Sequence, residues 1–186
     1  MKKVLLHACC APCASYPIQK LIEDNYEPII FFYNPNIFPS NEYEIRRVEL
    51  EKYCTKINIQ YIEGNYEIKE FYKATKGFEN EPEKGKRCDI CFNLRLNKTA
   101  KKAKELEIQY FTTTLSVSPH KNSNQIFLAG NFASKNYGVK FLEYNFKKQD
   151  GFKISRMIAK ENNMYAQTYC GCEFSLAQSI ARLGLD

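Results

Sequence analysis

Seven of the eight cysteines of this 186-residue chain fall in three compact groups: Cys9, Cys10 and Cys13 in HACCAPC, Cys88 and Cys91 in RCDIC, and Cys170 and Cys172 in CGC. Thiolates ligate soft metals and attack disulfides, and three separated groups in one chain argue for shared chemistry rather than accidental core packing. Four thiolates close a zinc tetrahedron and leave three idle, whereas an iron-sulfur cluster with a second metal uses all seven. Neighbouring side chains of an extended segment point to opposite sides, so Cys9 and Cys10 are expected to serve different centres, with Cys13 one helical turn on completing one of them. Helices starting beside HACCAPC and at Cys88 would favour the thiolate form there. Gly171 lets the backbone turn tightly between its two cysteines. Cys54 stands apart inside an amphipathic helix and reads as a small buried hydrophobe.

The elements that must position these thiols alternate between strand and helix. KKVLLHA, EPIIFFY (27–33), INIQYIEG (57–64), IQYFTTT (108–114) and VKFLEYNF (139–146) read as strands. After the first comes a helix with Pro17 expected in its opening turn. Asn41 and Glu44 have the spacing of a capping box ahead of a second helix. YEIKEFYKATKG reads as a helix closed by Gly77, FENEPEKGK as a surface loop or short lid, and SNQIFLAGNFASKNYG as another helix. The last forty residues read as helical, interrupted at TYCGCEFS. Such alternation implies an α/β fold in one domain over 1–186, a parallel sheet with helices on both faces and a helical C-terminal part. Ligands of such sheets sit at the carboxyl ends of the strands, so the first cysteine group, Asn34 to Asn41 and Thr112 to Lys121 are expected on one rim.

Composition narrows the class. With 44% hydrophobic and 26% charged residues and no apolar run long enough to span a bilayer, the chain reads as a globular protein without a membrane partner. MKKVLLHACC lacks the apolar core of a secretion signal, so a cytoplasmic location is expected, where eight cysteines point to metal or redox chemistry rather than to disulfides. The formal net charge of +6 is concentrated in KTAKKAKE (98–105) and FKKQDGFKISR (146–156), which suit either solvated helix faces or contact with nucleic-acid phosphates. His7 in the first strand reads as a core histidine, and His120 as a loop residue.

HACCAPC, FFYNPNIFPSNEYEIRR, KGKRCDICFNLRL, YFTTTLSVSPHK and YAQTYCGCEFS, in that order, resemble the cobalamin-independent epoxyqueuosine reductases, the QueH family, over nearly the whole chain. The resemblance implies a Rossmann-like fold similar to the adenine-nucleotide α-hydrolases, with CCAPC in place of the glycine-rich phosphate loop, which disfavours ATP hydrolysis. It also implies a 4Fe-4S cluster and an additional mononuclear iron on Cys9, Cys10, Cys13, Cys88, Cys91, Cys170 and Cys172, and reduction of epoxyqueuosine to queuosine in tRNA. A flavodoxin or ferredoxin is the expected electron donor. Tyr33, Tyr43 and Lys121 are candidate proton donors at the expected rim. Tyr33, Asn34, Asn36, Tyr43, Arg46, Thr114, Ser116, Ser118 and Lys121 are candidate substrate contacts, with Arg46 suited either to a phosphate or to Glu42 or Glu49 on its own helix. A zinc-stabilised nucleic-acid-binding module and a dithiol oxidoreductase remain the alternatives that the cysteines alone allow.

Overall fold

The computed structural model describes residues 1–183. Five parallel strands, β1 (Lys2–His7), β2 (Tyr26–Phe32), β3 (Tyr61–Glu63), β4 (Tyr110–Thr113) and β5 (Lys140–Phe141), stand in the order β3-β2-β1-β4-β5. Successive side chains of a strand face opposite ways, and the burial follows that period of two. Val4, Leu6, Ile30 and Phe32 face a core closed by α1 (Ala11–Glu23), α2 (Ser40–Lys56) and, in part, α6 (Gly151–Glu161). Leu5, Ile29, Phe31 and Phe111 face a second core under α4 (Lys86–Glu105) and α5 (Ser123–Tyr137). The short α3 (Ile68–Thr75) leans on α4, and α7 (Glu173–Leu183) follows the last cysteine pair. Among the described residues no helix is long and apolar enough to cross a membrane.

The strand order puts a switch point between β1 and β4, where the chain departs to opposite sides and opens a crevice beyond the strand ends. HACCAPC and the 3-10 turn Thr114–Val117 both emerge there. Asn34, after β2, donates its amide to the Ala8 carbonyl at 2.9 Å, tying the second loop to the first. The three expected loops therefore do meet at one end of the sheet.

Several local expectations need correction. α1 begins at Ala11 with Pro12 in its first turn, so Pro17 lies inside the helix, where its missing N–H leaves the Cys13 carbonyl without the usual i+4 donor. The Asn41 capping box does not form: Pro39 takes the cap position with no side-chain bond, and Glu44 pairs with Arg47 at 3.0 Å instead. β3 is shorter than 57–64 because α2 runs to Lys56 and the chain leaves it through Asn58 at φ 56°, which uses up the first residues of the apolar run. β5 is only two residues long. Beyond it the Leu142 amide still donates to the Phe111 carbonyl at 2.9 Å, and Leu142 and Tyr144 offer their carbonyls to the Thr112 and Ser116 hydroxyls at 2.7 and 2.6 Å, so side chains take over where the ladder ends.

His7 is the core histidine expected. Its Nδ1 lies 2.8 Å from Thr113 Oγ1, and its Nε2 lies 3.2 Å from the Tyr33 carbonyl oxygen and 3.3 Å from the Arg95 Nε donor. Burial first and the Arg95 charge second lower its pKa from 6.5 to about 3, so the folded protein holds it neutral. The unfolded chain binds a proton below pH 6.5 that the native chain refuses until about pH 3. Stability from this residue is therefore present above pH 6.5 and lost as the pH falls. Between pH 7 and 4.5 the loss from His7 alone is expected to be about 2 to 3 kcal/mol. Urea unfolding at both pH values, on the wild type and His7→Gln, checks this: the acid loss should shrink by that amount in the variant, and equal losses in the two proteins would refute the assignment.

Candidate metal centre

The first cysteine group is built by the end of β1 and the start of α1. The strand stops at His7, Cys9 lies in a bend, and Cys10 is the extended N-cap residue of α1, with φ −173° and ψ 164°. That break in the strand cancels the alternation on which the separation of Cys9 from Cys10 was expected. Their sulfurs lie 3.8 Å apart, and those of Cys9, Cys10 and Cys13 all fall within 4.8 Å of one another. Hydrogen bonds from Cys10 and Cys13 outweigh burial and hold the Cys9 thiol well below its ordinary range, with Arg95 and Lys121 adding in the same direction. The bonds with Cys13 and Cys9, and then burial, push Cys10 well up. At Cys13 the bond with Cys10 favours the thiolate, but its bond to Cys9, burial and the Cys9 charge prevail, and the thiol is pushed up to about 12. Three thiols this close share a single negative charge until a cation displaces the remaining protons.

The second group sits on α4. Cys88, Cys91 and Arg95 are spaced i, i+3 and i+7 and so share one face of the helix. The Lys84 backbone amide donates to Cys88 Sγ at 3.3 Å, and Arg95 donates to Cys91 Sγ at 3.9 Å. Burial nevertheless raises the Cys88 thiol and pushes Cys91 up to about 12.

The third group lies between α6 and α7 and is held from three sides. Gly171, at φ 132°, makes the turn, and a β-carbon there would come within 3.2 Å of the Arg46 guanidinium. Its carbonyl accepts the Phe38 amide at 2.8 Å. Arg46, buried and paired with Glu42 at 2.7 Å, donates to the carbonyls of Tyr169 and Cys170, each at 3.2 Å. Cys172 Sγ contacts Ser175 Oγ at 3.4 Å, although burial still raises the Cys172 thiol.

Cys88, Cys91, Cys170 and Cys172 line one cavity with Asn36, Phe71, Phe92 and Lys121. A second cavity meets it and holds Cys13, Ser118, Gln167, Thr168 and Tyr169; Glu83, His120, Lys121 and Cys170 border both. The first leaves about 50 Å³ free and the second about 280 Å³, so only the second has room for a nucleoside-sized guest as it stands. Of the candidate site residues, Asn36, Ser118, Lys121 and five cysteines from all three groups thus come together around two joined spaces. Thr114 is buried with an unpartnered hydroxyl. Tyr33, Asn34, Tyr43, Arg46 and Ser116 are buried and line neither cavity: their polar groups bond to Glu67, Ala8 and Arg95, Gly64, Glu42, and Tyr144 respectively. Arg46 takes the pairing with Glu42 rather than facing a phosphate.

Two cations test whether this pocket suits metal-bound thiolates. Arg95 is 1% exposed, and its donors go to Asn34 Oδ1 at 2.6 Å, to His7 and to Cys91, none of them a carboxylate. Burial opposes the charge on Lys121, but the sulfurs of Cys170, Cys9 and Cys13 outweigh it and keep the ammonium protonated. A buried cation needs an anionic neighbour, and the anions available to Arg95 are thiolates. Sequence reading passed over Arg95, although its i+7 spacing from Cys88 is the signal that marks it. It also passed over Arg87, which binds the carbonyls of Phe78 and Glu79 and lies 4.5 Å from the Phe174 ring, pinning the 78–86 loop and α7 beside the cavities.

A family model described as Epoxyqueuosine reductase QueH matches residues 4–178. Proteins named Epoxyqueuosine reductase QueH from Acinetobacter baylyi and Thermotoga maritima are 40% and 38% identical. The first alignment covers 94% of this chain and 80% of its relative, the second 96% and 92%. Among solved structures, a predicted subunit of a tRNA methyltransferase from Methanocaldococcus jannaschii aligns at TM-score 0.56 with 16% identity, over 87% of this chain and 75% of that one. The U34-tRNA thiolase NcsA of Methanococcus maripaludis, solved with its [4Fe-4S] cluster, aligns at TM-score 0.52 with 14% identity over 99% and 65%. These structural likenesses bear on the fold alone, the parallel sheet with helices on both faces.

Proposed function

From the premise that this chain belongs to the epoxyqueuosine reductase QueH family and reduces epoxyqueuosine to queuosine in tRNA, we propose that its thiolates hold two metal centres with separate duties. Cys88, Cys91, Cys170 and Cys172 would hold a 4Fe-4S cluster in the first cavity, and Cys9, Cys10 and Cys13 a single iron beside it. What carries this division is spacing. Sulfurs about 2.3 Å from one metal at tetrahedral angles stand about 3.8 Å apart, the Cys9 to Cys10 distance. The other four thiols line one cavity and, among the described residues, do not form a group of three or more within 4.8 Å, which suits ligands of a larger group.

Removing the epoxide oxygen breaks two C–O bonds, forms the alkene and releases water, which consumes two electrons and two protons. Bound iron-sulfur and iron centres would supply the electrons and the Lewis acidity. The residues supply the rest. Lys121, whose ammonium faces both thiol groups and both cavities, is the proton donor best placed toward the departing oxygen. The hydroxyls of Tyr33 and Tyr43 are hydrogen-bonded to Glu67 and to the Gly64 carbonyl and line neither cavity, which makes them poorly placed as donors. Phe71 and Phe92 keep water from the four-cysteine side. The electrons come from an external low-potential carrier such as a flavodoxin or ferredoxin, in the cytoplasm where tRNA and reduced thiols coexist.

Anaerobically purified protein should contain about five irons and four sulfides per chain, absorb broadly near 400 nm, and remove one oxygen from epoxyqueuosine in tRNA as read by mass spectrometry of the digested nucleosides. Colourless protein with stoichiometric zinc would refute the two-centre reading.

A further inference from the structure

The wider cavity has a wall that none of this chemistry uses. α6 begins at Gly151, where a β-carbon would meet the Phe146 carbonyl oxygen at 1.8 Å and the Tyr16 ring at 2.5 Å. Only a residue without a side chain lets the first turn of α6 press against α1, and α1 carries Cys13. That seating lays Phe152, Ser155 and Arg156, at i, i+3 and i+4, along the cavity opposite Pro12 and Cys13.

Each of the three residues lacks a structural use. Phe152 is 40% exposed instead of joining the core below it. Arg156 is exposed and has no carboxylate partner among the described residues. Ser155 is only 3% exposed, yet its hydroxyl finds no hydrogen-bond partner, an arrangement that costs stability unless a guest completes it. Lys121 borders the same space, and Lys147 donates to the Lys121 carbonyl at 2.6 Å, which brings a further ammonium close by. An aromatic face, a planar cation and a deep hydroxyl, side by side in a lining where Arg156 and Lys121 outnumber the one carboxylate, Glu83, match a base, a phosphate and a sugar hydroxyl.

We propose that Phe152, Ser155 and Arg156 form a subsite for the RNA strand flanking the modified nucleotide: Phe152 stacks on a neighbouring base, Arg156 pairs with a backbone phosphate, and Ser155 binds a ribose hydroxyl. The proposal rests on the reading that the modified nucleotide reaches the cysteines through this cavity. It gives the basic stretch FKKQDGFKISR a defined task and makes the polynucleotide, rather than the free nucleoside, the ligand that fills the site.

Fluorescence anisotropy of the anaerobic holoenzyme with a labelled anticodon stem-loop tests this. Phe152→Ala should weaken binding about tenfold or more, and Phe152→Trp should keep it, because stacking needs an aromatic face and not phenylalanine itself. Arg156→Gln, at an exposed position where folding is little disturbed, should weaken binding and flatten the log–log salt dependence by about one unit. Wild-type affinity and salt slope in Phe152→Ala and Arg156→Gln would overturn the subsite even if conversion of the epoxide proceeds. Weakened binding in both, in a preparation whose wild type fails to convert the epoxide, would support the subsite and count against the metal-centre reading instead.

Discussion

Cys172→Ala is expected to lower epoxyqueuosine reduction by on the order of a thousandfold or more and to remove most of the absorbance near 400 nm, while Cys54→Ala leaves both unchanged. The two thiols are both poorly exposed, so burial alone does not separate them. Cys54 packs in the core between the sheet and α2, where burial pushes its thiol up to about 12, and among the described residues it belongs to no group of potential metal ligands. Losing its sulfur should cost about 1 kcal/mol of stability and nothing else. Cys172 faces Cys88, Cys91 and Cys170 across a cavity, so its removal leaves a four-ligand site with three. Iron and sulfide analysis of both variants, beside the nucleoside assay, decides the matter. Full cluster content and activity in Cys172→Ala would remove the four-cysteine assignment.

The sequence made the outline of this site legible because its signals are local. Three cysteine groups, a strand ending at His7 and a helix carrying Cys88 and Cys91 can each be read from a few neighbouring residues. Parallel alternation then places their loops at one end of a sheet. What could not be read depended on where a regular element stops. The separation of Cys9 from Cys10 assumed an extended chain through both, and the early start of α1 turned Cys10 into a cap residue with its sulfur beside that of Cys9. The polar residues chosen as substrate contacts show the same limit. Asn34 and Ser116 sit in loops at the right end of the sheet, yet each is spent on fixing one loop to another, an outcome set by distances between segments far apart in the chain. Arg95 was missed for the opposite reason. On a helix rich in lysine and arginine it looks like solvated charge, and only the packing of α4 on the sheet turns it inward toward His7 and Cys91.

Arg46→Ala is expected to be the most destabilising single change outside the cysteines, at about 3 to 5 kcal/mol. The guanidinium is 1% exposed and its Glu42 partner 8%, so deleting the cation strands a carboxylate with only the Tyr165 hydroxyl, at 2.8 Å, for company. Two further acceptors lose their donors, the carbonyls of Tyr169 and Cys170. The same guanidinium lies 5.4 Å from the Tyr169 ring, so the segment leading into the last cysteine pair loses a packing surface as well. Stability and cofactor retention are therefore expected to fall together, because the turn that carries Cys170 and Cys172 is anchored to α2 chiefly through this side chain. A double variant separates the two effects. Glu42→Gln with Arg46→Met removes the stranded charge and keeps much of the volume, so most of the lost stability should return in urea unfolding, while iron content should stay low because the carbonyls are still unanchored. If Arg46→Ala unfolds within about 1 kcal/mol of wild type and keeps its iron, the turn is held by other contacts, and the Phe38 amide to the Gly171 carbonyl becomes the bond to remove next.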